Sequence, residues 1–378
     1  MRNPGIDLLR GLSILLVVLH HLGLPMRIPL KRSLLAEFVP GRLLGALNYN
    51  GYEAVFVFFV ISGFLITTRS LERWGRLDRI DRRAFYVHRG ARILPCLLLL
   101  VGALAVLHLA GITGFVIHRE GQSLPHAVLA AFGLYLNWYE GTTGYLPGNW
   151  DVLWSLSIEE AFYLGFPLVC LAIRNERVLA GALALLAASM PYSLAAITDN
   201  EIWKEKAYLP GMSAIATGVL AALLAARVQP RRPGRVIALG AIGALGLAIV
   251  FLAPTWLWTV LRDGVMLLLT MSTACLVVAL HWRQASGRAP TLPGTAWLRS
   301  MGRLSYEIYL SHMFVVISVV AVFKARGGDL RHGFLWYPPA LAVTWLLGAL
   351  VARLYSSPCD RALRRRLRST QSSVGECR

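Results

Sequence analysis

The chain has 378 residues, 56% of them apolar or aromatic and only 15% charged, with a formal net charge of +18. A soluble chain carries about 25% charged residues and under half apolar, so this composition excludes a soluble domain and, equally, a disordered, collagenous or disulfide-scaffold chain. It points to a polytopic membrane protein.

Taken in chain order, apolar runs able to cross ~30 Å of hydrocarbon as helices fall at 6–24, 51–68, 91–110, 154–173 and 178–197. Further runs cover 208–226, 236–253, 258–281, 304–323 and 337–355. An eleventh stretch, 126–140, is shorter and contains Asn137, Trp138 and Tyr139. With the N-terminus inside, eleven spans would place 16 Lys/Arg inside and 22 outside; ten spans, with 126–140 interfacial or re-entrant, place 27 inside and 11 outside. The positive-inside rule selects the second arrangement. The expected architecture is an all-α membrane bundle of about ten transmembrane helices plus one re-entrant or interfacial helix, with both termini cytoplasmic. No internal repeat or low-complexity tract divides it, so residues 1–358 read as one integral domain followed by a basic tail, 359–378.

The charge excess explains itself as topology. The segment 69–92 holds eight arginines against Glu72, Asp78 and Asp81, and the turn Arg231-Arg232-Pro233-Gly234-Arg235 and the tail around Arg364-Arg365-Arg366 add to the same side. These charges suit contact with anionic membrane lipids, and nucleic-acid binding is not needed to account for them. Arg2 ahead of an apolar stretch imitates a signal peptide, but no small-residue cleavage site follows. That stretch also carries Arg10, His20 and His21, so it reads as a retained first helix. Cys96, Cys170 and Cys275 lie in apolar runs and Cys359 and Cys377 in the tail, without a C-x-x-C. That makes a zinc or dithiol site an unfavoured reading, and no metal is expected.

Ionisable groups inside spans are costly and usually functional. Arg10 and His21 are eleven residues apart, which at 100° per residue returns them to within about 20° of one face, roughly 16 Å apart along the axis. His20 points about 80° away. Arg10 could also snorkel to the headgroups, and His21 could be an interfacial histidine. The segment Trp154-Ser155-Leu156-Ser157-Ile158-Glu159-Glu160-Ala161-Phe162-Tyr163 puts adjacent carboxylates at the start of a span. Capping by Ser155 or Ser157 would account for one glutamate better than for both. A carboxylate beside a histidine is what general-base chemistry on an alcohol uses, and the topology brings Glu159 and His21 toward the same outer face.

These segments resemble the acyltransferase-3 family of membrane O-acyltransferases. The opening Ile6-Asp7-Leu8-Leu9-Arg10-Gly11 followed by His21 is similar to its first-helix signature, and Phe58-Phe59-Val60-Ile61-Ser62-Gly63-Phe64-Leu65-Ile66 to its second-helix segment. Arg89-x-x-Arg92-Ile93-Leu94-Pro95, the stretch Trp154 to Tyr163, and Ser305-Tyr306-Glu307-Ile308-Tyr309-Leu310-Ser311-His312 follow in family order. The chain departs from the family pattern at Phe56, at Val152 and at Ser356-Ser357-Pro358. The resemblance implies transfer of an acyl group, usually acetyl, from cytoplasmic acyl-CoA to a hydroxyl of a carbohydrate or lipid-linked glycan at the bacterial inner membrane. Arg10, Arg89 and Arg92 would hold the acyl-CoA. His21 would be the general base or a transient acyl carrier, oriented by Glu159 with Glu160 in support. Ser155, Ser157, Tyr163 and His312 would bind substrate. No hydrolase-like domain follows, so the membrane unit is expected to work alone, as a homodimer or with a separate periplasmic partner. Two rival readings remain, an acyl relay using the same His and Arg residues and a transporter that would also be polytopic with intramembrane charges. An acyl-relay protein would differ only in its product, and a secondary transporter should show inverted repeats and Gly/Pro-broken helices, which this chain lacks.

The charge count yields a direct test. A cysteine placed near Arg79, or after residue 358, should resist an impermeant thiol reagent applied to intact cells, and labelling there would overturn the ten-span arrangement.

Overall fold

The computed structural model describes residues 2–197, 200–230, 232–252, 255–287 and 292–365; Arg231, Arg366 and Cys377 lie outside them. Among the described residues the chain is helical and contains no strand. In chain order the helices are α1 (Pro4–Gly23), α2 (Gly41–Tyr49), α3 (Gly51–Trp74), α4 (Arg82–Leu109), α5 (Leu124–Phe132), α6 (Leu136–Thr143), α7 (Gly148–Asp151), α8 (Leu153–Ala172) and α9 (Glu176–Ala188). They continue with α10 (Met190–Ala195), α11 (Glu201–Lys206), α12 (Tyr208–Arg227), α13 (Pro233–Leu252), α14 (Thr255–Leu261), α15 (Gly264–Ala285), α16 (Ala296–Arg303), α17 (Ser305–Ala325) and α18 (Tyr337–Val351). Ten helical runs among the described residues are long and apolar enough to cross a membrane, which matches the expected bundle.

Three boundaries differ clearly from the sequence reading. The third run begins at Arg82 rather than 91 because Asp81 caps it, its carboxylate accepting from the Ala84 amide at 3.1 Å. The run expected at 258–281 begins at Gly264, because Arg262 takes a left-handed φ of 46° and separates α14 from α15. The last run continues past 358: a π-helical turn at Ala352–Ser356 carries helix on to Arg365. That turn aims Ser356 at Glu307, whose carboxylate accepts its hydroxyl at 2.8 Å. Cys96, Cys170, Cys275 and Cys359 are free thiols.

The segment 126–140 does not span. Leu134 adopts a φ of 59°, and the Gly133 amide turns back to Leu129 at 2.7 Å, so the stretch breaks into α5 and α6. Helices of nine and eight residues reach only about 13 Å. What fixes them is polar. The buried Asn137 amide donates to the carbonyls of Trp154 (3.0 Å) and Lys206 (2.6 Å). The buried Lys206 ammonium donates to Glu140 at 2.6 Å and also to Asp151. One lysine thus ties α6, α7 and α11 together at the end of the bundle that carries His21.

Close crossing of α3 and α12 positions the middle of the bundle. A Cβ on Gly63 would sit 2.0 Å from the Ile215 carbonyl, and one on Gly218 2.0 Å from the Val60 carbonyl. Only glycine permits that approach, and it sets the height of the neighbouring Ser62.

Removing one partner of a buried ion pair leaves an uncompensated charge, at a cost of about 3–5 kcal/mol. Lys206→Met should therefore lower the thermal unfolding midpoint of the detergent-solubilised protein markedly. An unchanged midpoint would mean that Glu140 and Asp151 reach water on their own.

Candidate active site

A cavity with about 970 Å³ of empty space opens between α1, α3, α4, α8 and α17. Arg10, Arg69, Arg89 and Arg92 line it together with Glu159, Glu160, Ser62, Ser155, Tyr163, Ser305, Tyr306 and Tyr309. The Arg10 guanidinium donates to the Ser305 hydroxyl at 2.7 Å. Arg89 lies with its guanidinium 3.6 Å from the centroid of the Tyr163 ring and 3.4 Å from Glu159. Glu159 also accepts the Tyr163 hydroxyl at 2.5 Å and the Ser62 hydroxyl. Glu160 sits 3.9 Å from Arg89, and its buried Oε1 has no hydrogen-bond partner among the described residues. Tyr309 donates to the Val152 carbonyl at 3.0 Å and receives the Ser155 hydroxyl at 2.7 Å.

Of the four arginines, Arg89 alone forms an ion pair among the described residues. Four cations against two carboxylates leave the cavity electropositive, and its partial burial strengthens the field. A second cavity adjoins it, sharing Arg69, Arg89 and Arg92 and adding Arg73, His88 and Arg364. Because Arg364 and Arg73 line one space, the tail helix and the end of α3 share one end of the bundle. Among the described residues no three His, Cys, Asp or Glu side chains converge as a metal site would require.

Most of the sequence-derived candidates converge here: Arg10, Arg89, Arg92, Ser155, Glu159, Glu160 and Tyr163 all face the cavity. Three do not. Ser157 turns back into its own helix, donating to the Leu153 carbonyl at 3.2 Å. His21 and His312 lie beyond the cavity, ring against ring at 5.1 Å.

The expected contact between His21 and Glu159 is not made. Glu159 meets Ser62, Tyr163 and Arg89 at the level of Arg10, while His21 lies about 16 Å further along α1. The topological inference misplaced Glu159 because α8 is already one and a half turns old when it reaches this residue. For the same reason neither Ser155 nor Ser157 caps a glutamate, since both sit inside the helix. The shared face of Arg10 and His21 does hold: Arg10 bonds Ser305 and His21 packs on His312, both on α17. His20 turns away, its Nδ1 donating to the Asn48 carbonyl at 3.0 Å, against Gly51.

Sequence reasoning gave no role to Ser62, Arg69, Arg73, Ser305, Tyr309 or Arg364. Ser62, Ser305 and Tyr309 lie inside segments already singled out, whereas Arg69, Arg73 and Arg364 passed as topology charges.

Comparison with known proteins agrees with this architecture. An acyltransferase domain model, that of the acyltransferase-3 family, matches residues 3–353, and the chain belongs to that family. It is 30% identical to "O-acetyltransferase OatA" of Staphylococcus aureus (strain NCTC 8325 / PS 47) over 177 residues, 44% of this chain and 24% of that protein. It is 24% identical to "Putative O-acetyltransferase SACOL0978" of Staphylococcus aureus (strain COL) over 352 residues, 86% of this chain and 52% of that protein. The chain therefore spans about a quarter to a half of the length of these relatives. No solved structure matches it.

Proposed function

We propose that this protein transfers an acyl group, acetyl as in the names of its relatives, from acyl-CoA to a hydroxyl of a glycan or glycolipid at the bacterial inner membrane. The unit that does so is residues 1–358, with both termini and the acyl-CoA on the cytoplasmic side. The observation that carries the reading is the pair of adjoining arginine-lined cavities at the opposite end of α1 from His21. Acyl-CoA is a polyanion with a long slender arm. Arginines bind its phosphates in fork geometry: Arg69, Arg73, Arg92 and Arg364 face the entrance, and Arg10 and Arg89 lie deeper. The arm then runs up the cavity past Ser155 and Tyr309, toward the histidines.

At the far end His21 takes the proton of the acceptor hydroxyl as its oxygen attacks the thioester carbonyl. The carbon–sulfur bond breaks, and the thiolate leaves as CoA, recovering the proton from His21. Glu159 serves the donor side in this scheme, holding Arg89 under Tyr163, with Glu160 adding charge beside it. An acyl-relay role would stop at an acyl group carried by this chain; transfer to added glycan by the purified protein alone distinguishes the two.

Arg92→Ala is the cleaner donor-side test because, among the described residues, Arg92 has no ion pair to lose. Removing a hydrogen bond to a charged group costs about 1.5–3 kcal/mol, so the KM for acyl-CoA should rise by roughly 10- to 100-fold, with Lys rescuing only in part. An unchanged KM would reduce this arginine to a topology determinant.

A general base contributes about 10²–10⁴-fold. His21→Ala should lose transfer by that factor while the protein still inserts and folds. His20→Ala, which removes the bond to Asn48 and an edge-on ring contact with His21 but leaves the His21 ring nitrogens in place, should keep substantial activity. The opposite ranking would mean that His20 is the base.

A further inference from the structure

We infer that His312 is a positioning residue that fixes the ring tautomer of His21, supplying from α17 the hydrogen-bond acceptor that Glu159 does not supply. The inference rests on His21 being the base of the proposed reaction, and it assigns the group that makes one of its two nitrogens basic.

His312 is fully buried, and its Nδ1 lies 2.7 Å from the Tyr309 carbonyl oxygen. A carbonyl only accepts, so this Nδ1 carries a proton. In a neutral imidazole the other nitrogen is then a lone pair. That nitrogen, His312 Nε2, is buried and has no hydrogen-bond partner among the described residues. His21 Nδ1 is also buried, again without a partner among the described residues. The two rings stand with centroids 5.1 Å apart and planes 41° from each other. Each ring nitrogen lies ~1.2 Å from its centroid, so with both nitrogens on the line between the centroids the pair stands at hydrogen-bonding distance, and the bond forms by a rotation of His21 that turns Nδ1 onto that line.

The ionisable groups around His21 do not supply this acceptor. Among ionisable side chains it feels His312, His20, Arg27 and Lys206 most strongly, and none of these is a carboxylate. Arg27 donates to the His21 carbonyl at 2.5 Å, and the Nδ1 of His20 is committed to Asn48. Asp151, the acid that acts on His20 and Arg27, is held by Lys206. An unpaired lone pair beside an unpaired ring nitrogen is a costly arrangement in a buried site, and the simplest way to satisfy both is an Nδ1–H of His21 donated to His312.

The chemical consequence is specific. A free imidazole favours the proton on Nε2; donating Nδ1–H to His312 moves the lone pair to Nε2. As the acceptor hydroxyl gives its proton to His21 Nε2, the cation that forms keeps its Nδ1–H bond to His312, so charge develops without losing a partner. When the proton returns to the departing thiolate, the starting tautomer is restored. This is the orienting task that a carboxylate performs in a Ser-His-Asp triad, done by a neutral ring inside a membrane bundle, where a second charge would need its own partner.

The experiment is nitrogen NMR of the purified protein in detergent with ring-labelled histidine, His21 signals being identified by their loss in His21→Asn. Wild type should show His21 protonated on Nδ1 with a lone pair on Nε2. His312→Phe keeps the ring volume but removes the acceptor, and should return His21 to the Nε2–H form. His312→Gln restores an oxygen near the place of Nε2 and should preserve the Nδ1–H form. In transfer from acetyl-CoA to an envelope glycan fraction, His312→Phe should lose kcat by about tenfold or more, with an unchanged KM for acetyl-CoA and partial rescue in His312→Gln. A packing role predicts the reverse order, phenylalanine outperforming glutamine. An Nε2–H tautomer in wild type, or an unchanged tautomer in His312→Phe, overturns the inference whatever the activities are. Full transfer by His21→Ala would instead overturn the reading of His21 as base, and leaves a distinct signature because the tautomer measurement does not depend on turnover.

Discussion

The Arg89 guanidinium, held between the Glu159 carboxylate and the face of Tyr163, is the interaction on which the arrangement of the site depends. A charge inside a helix bundle persists only with a partner, and this one has three from a single helix: Glu159, Glu160 and Tyr163, at positions i, i+1 and i+4 of α8. The contact fixes how α4 and α8 face each other, and Ser62 joins α3 to the same carboxylate. Once these three helices are set, Arg10, Arg69 and Arg92 surround a space in which, among the described residues, they form no ion pair and outnumber the carboxylates with Arg89, and an anion is the species that the space favours.

The site is polar at both ends but differently so. At the arginine end, charge is left in excess around an open volume. At the histidine end, the rings are packed among cations and buried carbonyls, with ring nitrogens left unpartnered. α1 connects the two, carrying Arg10 to one and His21 to the other, with α17 alongside supplying Ser305 and His312. A substrate with a charged head and a reactive tip is matched by such a polarity.

Much of this was legible in the sequence for simple physical reasons. Hydrophobic length alone places ten spans, and the charge count already disfavours an eleventh, because periodicity and positive-inside bias are local or additive signals. The α1 face was legible too, since helical geometry fixes the angle between residues 10 and 21. The partner of His21 was not legible. Deciding between Glu159 and His312 requires the height at which α8 crosses α1, and that height depends on α7 joining almost directly to α8, on Asn137 gripping Trp154, and on the glycine crossing of α3 with α12. None of these is a property of one segment. Arg69, Arg73 and Arg364 were hidden for a different reason: a charge that orients a helix and a charge that lines a cavity look alike until the chain is folded.

The Lys206 tie has a consequence for how the molecule is made. Synthesis delivers Glu140 and Asp151 before Lys206, so two carboxylates are committed to the membrane boundary ahead of the cation that will neutralise them. The helix that follows Lys206 cannot settle until α6 and α7 are close enough to receive its ammonium. The sixth span can therefore complete this buried ion pair only once α6 and α7 stand beside it, which couples the broken segment 124–143 to the seating of a helix more than sixty residues further on.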